Sequence, residues 1–278
     1  MSDAPAEATP SKGSAAEGST AEGSTAQGSA GEGSAAERNR AFYDADRPGT
    51  NDYFRKMAAP RFRVATLARE LQRLAPRSVV DLGCGRGQLL EELRRVLPTA
   101  QLAGLDLSTA QIEHNKAAMP WATWGVANLS LPLPDGLGQH DAVVATEIIE
   151  HLDDPETFLA NAARLLRPGG HLIVTTQSGR VGETERRVGH VRHFKTDDVR
   201  DLLVRAGLAP IKVWNAGFPF HDLSKWYANL NPDASMASFS GKPYGLKEDL
   251  ICAALRLAFR LNSQSRGAQL FAIARRPE

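Results

Sequence analysis

The chain has 278 residues, 42% of them hydrophobic and 23% charged, which is ordinary for a globular protein of one large domain or two small ones. A net charge of +1 is too small to indicate a nucleic-acid partner, and no apolar run is long enough to predict a transmembrane segment. Cys84 and Cys252 are too few for a disulfide framework or a zinc cluster, and the start of the chain does not resemble a secretory signal. We therefore expect a cytoplasmic protein.

The first 37 residues form a low-complexity tract that repeats Gly, Ser, Ala and Glu. Such a tract has almost no bulky side chains to bury, so burial cannot offset the entropy lost on ordering. We predict a disordered tail over residues 1–37, with an acidic recognition tail as the alternative. The remaining residues, 38–278, are predicted to form a single domain.

Downstream of the tail, helical and strand-like segments alternate. A helical segment over residues 51–74 ends before Pro76. Apolar, β-branched runs predict seven strands, at 78–83, 101–108, 121–129, 140–147, 171–177, 210–217 and 268–276. Amphipathic segments predict the helices between them, at 87–97, 108–119, 153–170, 196–208 and 247–261.

Capping residues mark several of the predicted helix ends. Ser108 precedes one helix, Asp153 or Asp154 precedes the next, and Thr196 precedes a third, each as an N-cap whose side chain accepts a hydrogen bond from a free backbone amide. Pro168-Gly169-Gly170 is predicted to end the second of these helices, because neither residue type favours a helical backbone there.

This alternation predicts an α/β fold with a doubly wound, mostly parallel seven-stranded sheet. Residues 75–215 and 267–276 form its core, and residues 216–262 form a helical insertion before the last strand. The insertion is rich in aromatic residues, so we expect a lid over the substrate, with simple packing against the sheet as the alternative. Ligands of such sheets bind at the carboxyl ends of the strands.

The strongest local motif is a glycine-rich loop that follows the first strand and opens a helix. Gly83, Gly85 and Gly87 alternate with other residues, and glycine there permits unusual dihedral angles and a close approach of the backbone to a ligand. Asp106 ends the second strand, where a carboxylate can accept hydrogen bonds from ribose hydroxyls. A nicotinamide-dependent oxidoreductase is disfavoured, because Gln88 stands where the dinucleotide motif requires a third glycine.

Five segments occur together in one order: DLGCGRG, GLDLS, ANLSLPLPDG, ATEIIEHLDDPE and LLRPGGHLIV. In this combination, over residues 75–210, the chain resembles the class I S-adenosylmethionine-dependent methyltransferases, in particular the group that includes ubiquinone-biosynthesis-type O-methyltransferases. The resemblance implies a Rossmann-like methyltransferase fold and S-adenosylmethionine as cofactor. It further implies methyl transfer to a small-molecule metabolite, more readily at oxygen than at nitrogen or carbon, and is compatible with a homodimer.

The resemblance also implies which residues form the site. Asp106 would accept the ribose hydroxyls, and Asn128 stands where many relatives carry Asp for the adenine amino group. The residues placed at the cofactor are Asp81, Gly83, Cys84, Gly85, Gly87, Asp106, Leu107, Asn128, Leu129 and Thr146. If the acceptor is a hydroxyl, a base helps to remove its proton, and the candidates are Glu147, His151, His190 and His193.

Glu147, Glu150 and His151 have a spacing that could bind a divalent metal together with His190 or His193. RNA 2′-O-methyltransferases that modify small-RNA 3′ ends have a similar arrangement, but it is also common in relatives that use no metal. We therefore expect no metal and no nucleic acid. A metal-dependent RNA 3′-terminal 2′-O-methyltransferase and a non-catalytic cofactor-binding module remain the alternatives.

The helix predicted inside the insertion has one apolar face, formed by Leu250, Ile251, Ala254, Leu255, Ala258 and Phe259. We expect this face to pack in the core or against a second copy of the chain. Docking on a membrane surface is the alternative.

Overall fold

The structure, a computed structural model, describes residues 52–133, 137–238 and 243–278. The tail predicted over residues 1–37 lies outside the described residues. The strands of the described part are β1 (Ser78–Leu82), β2 (Gln101–Asp106), β3 (Thr123–Val126), β4 (His140–Thr146), β5 (Leu166–Gln177), β6 (Ala209–Ala216) and β7 (Gln269–Arg275).

These strands form one sheet in the order β3-β2-β1-β4-β5-β7-β6. The pairs from β3 through to β5 are parallel, and β7 runs antiparallel to both of its neighbours. The predicted mostly parallel seven-stranded sheet is therefore confirmed. From β1 the chain continues toward one edge of the sheet through β2 and β3, and from β4 it continues toward the other edge. The carboxyl ends of β1 and β4 therefore border a crevice, and sheets of this kind bind ligands in such a crevice.

Ten α-helices accompany the sheet in the described residues. They are α1 (Tyr53–Lys56), α2 (Ala58–Leu74), α3 (Gln88–Val96), α4 (Thr109–Ala118), α5 (Pro155–Arg164), α6 (Glu183–Arg187), α7 (Thr196–Arg205), α8 (Phe220–Leu230), α9 (Pro232–Ser238) and α10 (Leu246–Phe259). The helix predicted over 51–74 is divided in two, because Met57 adopts an extended backbone with a ψ of 147°.

Three N-caps and one helix end were predicted above. Two of the N-caps are correct, whereas the third N-cap and the helix end are wrong. The Ser108 and Asp154 side chains accept backbone hydrogen bonds at the starts of α4 and α5, as predicted. Thr196 is not an N-cap: Lys195 holds that position, and its amide donates to the Asp198 carboxylate at 2.7 Å. The Asp198 side chain thus supplies the acceptor that we assigned to Thr196.

The end of α5 is the second correction. The helix stops at Arg164, before the predicted Pro168-Gly169-Gly170. Leu166 already pairs with His140 in β4, so this pairing competes with the last predicted helical turn and β5 begins earlier than expected. The Pro-Gly-Gly segment lies inside β5, where Gly169 adopts a φ of +75° and the pairing with β4 is irregular.

Apolar side chains cover both faces of the sheet. One buried cluster joins β4 and β5 to α5 and α7, with Phe158 and Leu166 fully buried. The other joins β1 and β2 to α2, α3 and α4, with Leu71, Leu90 and Ile112 fully buried. Because both faces are filled with apolar groups, the polar chemistry concentrates at the carboxyl edge of the parallel strands.

The insertion between β6 and β7 contains three helices, α8, α9 and α10, where one was predicted. Its two ends meet in a short neck at the sheet, where the amides of Gly217 and Ser263 donate to the carbonyls of Ser263 and Phe218 at 2.9 and 2.7 Å. The Phe218 amide donates to the Arg266 carbonyl at 2.9 Å. In the part of the chain that the structure describes, every helix is too short or too polar to cross a membrane.

The apolar face predicted for α10 does not pack in the core over its first half, and packing of this part against a second copy of the chain stays a prediction. Cys252 and Phe259 are buried, whereas Leu250 and Ile251 are exposed. The reason is the way α10 packs on the N-terminal helices: the Cys252 sulfur lies 3.5 Å from the Met57 sulfur, so the neighbouring leucine and isoleucine turn outward.

Candidate active site

The glycine loop after β1 uses its three glycines in two different ways. All three have positive φ angles, of +69° at Gly83, +47° at Gly85 and +73° at Gly87. A Cβ atom on Gly83 would collide with Ile148, and one on Gly87 would lie 2.6 Å from Met119. A Cβ on Gly85 would meet no atom within 4 Å, so its backbone borders open space that a ligand can enter.

Hydrogen bonds from β2 and α4 hold this loop in place. The Gly83 amide donates to the Leu105 carbonyl and the Gly85 amide to the Asp106 carboxylate, both at 2.8 Å. The fully buried Asn115 side chain donates to the Gly85 carbonyl at 2.7 Å. Sequence analysis missed Asn115, although a polar residue on the inner side of an amphipathic helix is a usable signal.

Two carboxylates face the loop. Asp81 is buried at the end of β1, and its Oδ1 has no hydrogen-bond partner among the residues the structure describes. Burial, and then the charge of Asp106, raise the pKa of Asp81 to about 8. A cationic ligand group would relieve this, since an opposite charge favours the ionised form.

Asp106 fits a ligand that carries hydroxyl groups. Its two oxygens accept from the amides of Gly85 at 2.8 Å and Ser108 at 2.9 Å. Each carboxylate oxygen can accept a further hydrogen bond. Together with the open space beside Gly85 and the buried Asp81, these oxygens match the ammonium and ribose hydroxyls of an adenosyl amino acid.

The predicted adenine contacts lie in the segment after β3, and Leu107 lies half-buried beside Asp106. The Asn128 Oδ1 accepts from the Ser130 amide at 3.0 Å, and the carbonyl of the buried Leu129 accepts from Asn161 at 3.2 Å. These bonds shape the segment itself. The Asn128 Oδ1 and the Leu129 carbonyl oxygen thus already accept hydrogen bonds from protein donors. Each oxygen has two lone pairs, so each can accept a further hydrogen bond from a ligand.

Cys84 and Thr146 complete the predicted cofactor set. The Cys84 side chain is buried against Gly104 in β2, and burial raises the pKa of its thiol, so only its backbone borders the loop. The Thr146 hydroxyl at the end of β4 is also buried and has no partner among the described residues. It is therefore able to bond a ligand at this edge of the sheet.

Glu147 follows β4 with a φ of +55°, which is strained for a residue other than glycine. Its carboxylate accepts from Thr175 at 2.9 Å, from Gln177 at 2.6 Å and from Gln269 at 2.8 Å, and lies 3.8 Å from the Arg63 guanidinium. Burial acts to raise the pKa of Glu147, but Arg63 and the two amides outweigh it and lower the pKa to about 2. Such a carboxylate is a weak base at neutral pH.

Glu150 lies in the same region with the opposite electrostatics. It is fully buried, its Oε2 accepts from the Thr176 hydroxyl at 2.8 Å, and its Oε1 has no partner within the described ranges. Burial, and then the charge of Glu147, raise the pKa of Glu150 well above its usual range. Glu150 therefore favours the neutral carboxyl form more strongly than an exposed glutamate does.

Three imidazoles stand together beside these two carboxyl groups. The ring centroids of His151 and His190 are 4.6 Å apart, and His190 Nδ1 lies 3.0 Å from His193 Nε2. Burial lowers the pKa of His151 to about 4, that of His190 to about 2 and that of His193 to about 4. All three rings are neutral at pH 7, and each has one ring nitrogen that can accept a hydrogen bond; His151 and His193 are stronger bases than His190.

A carboxylate oxygen of Glu150 and one ring nitrogen each of His151 and His190 lie within 4.8 Å of one another. This spacing would allow three groups to contact one ion. A cation there would require Glu150 in its ionised form, which burial and the neighbouring Glu147 disfavour. The prediction that the site works without a metal stays a prediction.

The insertion closes over this cluster through α8. The Lys225 ammonium lies 3.0 Å from the Gln177 side-chain oxygen and 3.4 Å from the Glu185 carboxylate. Asn229 donates to the same carboxylate at 3.0 Å, and His221 is fully buried beside the cluster. The segment that we predicted as a lid thus contributes side chains to the region around Glu147.

Sequence analysis missed four side chains of this network: Arg63, Gln177, Lys225 and Gln269. Gln177 ends β5 and Gln269 begins β7, and an amide at the end of an otherwise apolar strand could have indicated them. Arg63 and Lys225 have no such signal, because a lone cation in a helix is more typical of a solvent-exposed face.

The arrangement of the sheet is the one found in solved methyltransferases. The N-methyltransferase NodS from Bradyrhizobium japonicum, solved with S-adenosyl-L-homocysteine, superposes with a TM-score of 0.56 at 18% sequence identity, over 86% of this chain and 99% of that one. At this identity the likeness shows the fold alone.

The sequence identifies the family. The methyltransferase domain family matches residues 54–213, and the chain belongs to it. A malonyl-[acyl-carrier protein] O-methyltransferase from Hahella chejuensis is 39% identical over 106 residues, which are 36% of this chain and 37% of the relative. A ubiquinone biosynthesis O-methyltransferase from Cupriavidus pinatubonensis is 36% identical over 110 residues, which are 37% of this chain and 42% of the relative.

The chain therefore contains a domain of the methyltransferase family, as the resemblance implied, and its relatives include S-adenosylmethionine-dependent methyltransferases. The chain spans less than half the length of each of these two curated relatives. Their acceptors are therefore not transferred to this protein.

Proposed function

We propose that the protein transfers a methyl group to a hydroxyl oxygen of a small metabolite. The observation that supports this most directly is the hydrogen-bonded pair of neutral imidazoles, His190 and His193, beside the charged Glu147. A hydroxyl must lose a proton when its oxygen is methylated, and a neutral imidazole can take that proton. Both curated relatives described above have O-methyltransferase names, which also supports oxygen as the acceptor.

The glycine loop and its two acidic neighbours would hold the cofactor. Asp81 faces the methionine ammonium, Asp106 accepts from the ribose hydroxyls, and the backbone at Gly85 borders the ligand. Leu107 packs on the adenine, and Asn128 accepts from its amino group. When bound, S-adenosylmethionine supplies an electrophilic methyl group on a sulfonium that departs as a neutral thioether.

The acceptor's proton would pass to the His190–His193 pair. One ring takes the proton as the O–H bond breaks, and the hydrogen bond between the rings spreads the charge over both. His193 is the more exposed partner and has the higher pKa, so it returns the proton to solvent. The pKa of Glu147 is about as low as that of His190 and lower than that of His193, so Glu147 stays ionised, and its fixed charge stabilises the imidazolium that forms.

The enclosure of the cluster supports a small acceptor. Lys225 and Asn229 of α8 contact side chains of the sheet edge and of α6, which leaves the imidazoles only partly accessible. A small molecule that enters such a closed site can be oriented and separated from water.

Cofactor with an isotopically labelled methyl group tests the acceptor class directly. We would incubate the protein with cell extract divided into small-molecule, RNA and protein fractions. The proposal expects label in the small-molecule fraction, in a product whose fragmentation mass spectrum shows a methoxy group. Label confined to RNA or protein, or a methyl group on nitrogen or carbon, would contradict it.

A further inference from the structure

Most of the large apolar side chains that are exposed in the described part of the chain belong to the insertion between β6 and β7. On α8 they follow a spacing of three and four residues, so they form one stripe along the helix, which we call the α8 stripe. Its members are 53–74% exposed and are Leu223, Trp226, Tyr227 and Leu230. The opposite side of α8 holds His221 and Lys225, which face the active site.

A second stripe follows α10 and the residues after it. Its leucines are separated by four, seven and four positions, which again places them on one side of the helix. They are 63–79% exposed, and we call them the α10 stripe: Leu246, Leu250, Leu257 and Leu261. Cys252 and Phe259, on the other side, pack on the protein body. Both stripes therefore point away from the core.

Two arginines flank the α10 stripe. Arg256 and Arg260 are exposed on α10 and the turn after it, and neither forms an ion pair with any residue the structure describes; Arg256 donates to the Lys56 carbonyl at 3.4 Å. Of the acidic residues described in the insertion, Asp233 and Asp249 pair with Arg187 and Lys56, whereas Asp222 and Glu248 accept from the backbone amides of Ala268 and Gly245. The surface thus combines exposed leucines and aromatic rings with two arginines that have no acidic partner among the described residues.

We propose that the α8 and α10 stripes dock on an anionic lipid surface. Tryptophan and tyrosine favour the boundary between headgroups and acyl chains, leucines enter the apolar layer, and arginines attract anionic headgroups. α10 has only 14 residues, so it would lie along the surface and not cross it. A second copy of the chain is the alternative occupant.

This proposal goes beyond the proposed function and does not depend on the site's chemistry. Since α8 has one side on the active site and the other on the lipid, the docked lid would face a store of amphipathic molecules. If the proposed function also holds, on which this one step rests, the acceptor class that fits the arrangement is a hydroxyl compound dissolved in, or attached to, a lipid layer.

Flotation of the full chain with lipid vesicles tests the docking. We expect binding to vesicles of phosphatidylcholine mixed with phosphatidylglycerol, weak binding to phosphatidylcholine alone, and loss of binding at high salt. The double variant Trp226→Ser/Tyr227→Ser should lower the partition coefficient about tenfold, and Arg256→Gln and Arg260→Gln should each lower it about fivefold.

Matched controls are available elsewhere on the surface. Val204→Ser on α7 and Ile211→Ser on β6 remove equally exposed apolar groups and should leave partitioning unchanged, and circular dichroism checks that every variant is folded. Equal binding by these controls and by the stripe variants would overturn the proposal, as would failure to bind the anionic vesicles. A dimer in light scattering that Leu250→Ser/Leu257→Ser dissociates would assign the surface to a second copy instead.

Discussion

The two halves of the carboxyl edge hold their polar groups in different ways. On the side of β1 and β2, the glycine loop is fixed mainly by backbone groups and by residues close in sequence: Asp106 lies 21 residues from Gly85, and Asn115 lies 30 residues from it. On the side of β4 and β5, the Glu147 carboxylate is held by side chains up to 122 residues away. We call these the cofactor half and the acceptor half.

The difference reflects what each half must do. A cofactor that does not vary can be bound by backbone amides and a short motif. An acceptor site needs side chains whose protonation is set by several neighbours, and those neighbours come from α2, β5, β7 and α8. The acceptor half should therefore be more sensitive to the loss of one side chain.

The largest effect is expected at the imidazole pair. His190→Gln and His193→Gln should each lower kcat about thousandfold, because the acceptor would lose its base. In the wild type, kcat/KM should stay constant from pH 8 down to about 5. Burial is the main cause of the low pKa of both rings. Of the neighbouring groups, His151 and Lys225 also lower the pKa, whereas Glu147 and Glu185 raise it, and the rings become protonated only below about pH 5.

Steady-state kinetics across this pH range provide the test. A decline of kcat/KM centred near pH 6.5 would mean that an ordinary, exposed histidine is the base. Unchanged kcat in both variants would show that the pair only shapes the pocket. His114, a half-buried residue of α4, provides a matched His→Gln control.

The next effect concerns stability in the acceptor half. Glu147→Gln should lower the free energy of unfolding by about 3 kcal/mol, because it leaves the buried Arg63 guanidinium without its anion. Glu156→Gln, which breaks the exposed pair with Arg205, should cost less than about 1 kcal/mol. Urea denaturation measures both. An equal loss of unfolding free energy in the two variants would show that the ion pair in the acceptor half stabilises the fold no more than an exposed ion pair does.

In the cofactor half, Asp106→Ala should weaken cofactor binding about a hundredfold, since two charge-assisted hydrogen bonds to the ribose are lost. Asp197→Ala, on the exposed face of α7, is the control and should bind normally. Isothermal titration calorimetry measures the affinity, and circular dichroism shows whether the fold is retained. Unchanged affinity in a folded Asp106→Ala protein would remove Asp106 from the cofactor site.

The smallest effect is a loss of stability in acid caused by His221. Burial, and then Arg63 and Lys225, lower the pKa of His221 from 6.5 to about 3, while Glu147 acts to raise it. As the pH falls below about 6.5, the unfolded chain takes up a proton that the folded chain cannot, so stability decreases. Between pH 7.5 and 5 this contributes about 2 kcal/mol.

His221→Gln should remove this part of the pH dependence. Urea denaturation of both proteins at the two pH values provides the measurement. A wild-type protein and variant that lose equal stability on acidification would show that His221 is accessible to protons in the folded state.

Local patterns predicted the fold well, and the residues predicted for the cofactor half lie near one another in the structure. The strand–glycine–helix segment around Gly83 and the acidic end of β2 are short-range signals, and the structure brings them together. The acceptor half was predicted only in part. The four histidine and glutamate candidates do lie together, but Arg63 and Gln269 reach Glu147 across 84 and 122 residues, and the sequence shows no pattern that links them.

The helix ends that were predicted wrongly have a similar cause. Pro168-Gly169-Gly170 is a sound local stop signal, yet pairing of Leu166 with His140 in a distant strand ends the helix first. Thr196 is a sound N-cap candidate, yet the Asp198 carboxylate one turn later satisfies the free amide. In both places a competing partner, and not a weak local preference, decided the outcome.

The neck of the insertion has a consequence for how such an enzyme could diversify. Backbone hydrogen bonds between residues 217–218 and 263–266 close the insertion at its base, and the main requirement there is glycine at Gly217 and Gly267, both of which have positive φ angles. An insertion that is closed at its base by hydrogen bonds can be lengthened, shortened or exchanged while the strands on either side keep their register. Selection could thus retune the choice of acceptor through residues 219–262 alone, and the machinery for methyl donation would be inherited unchanged.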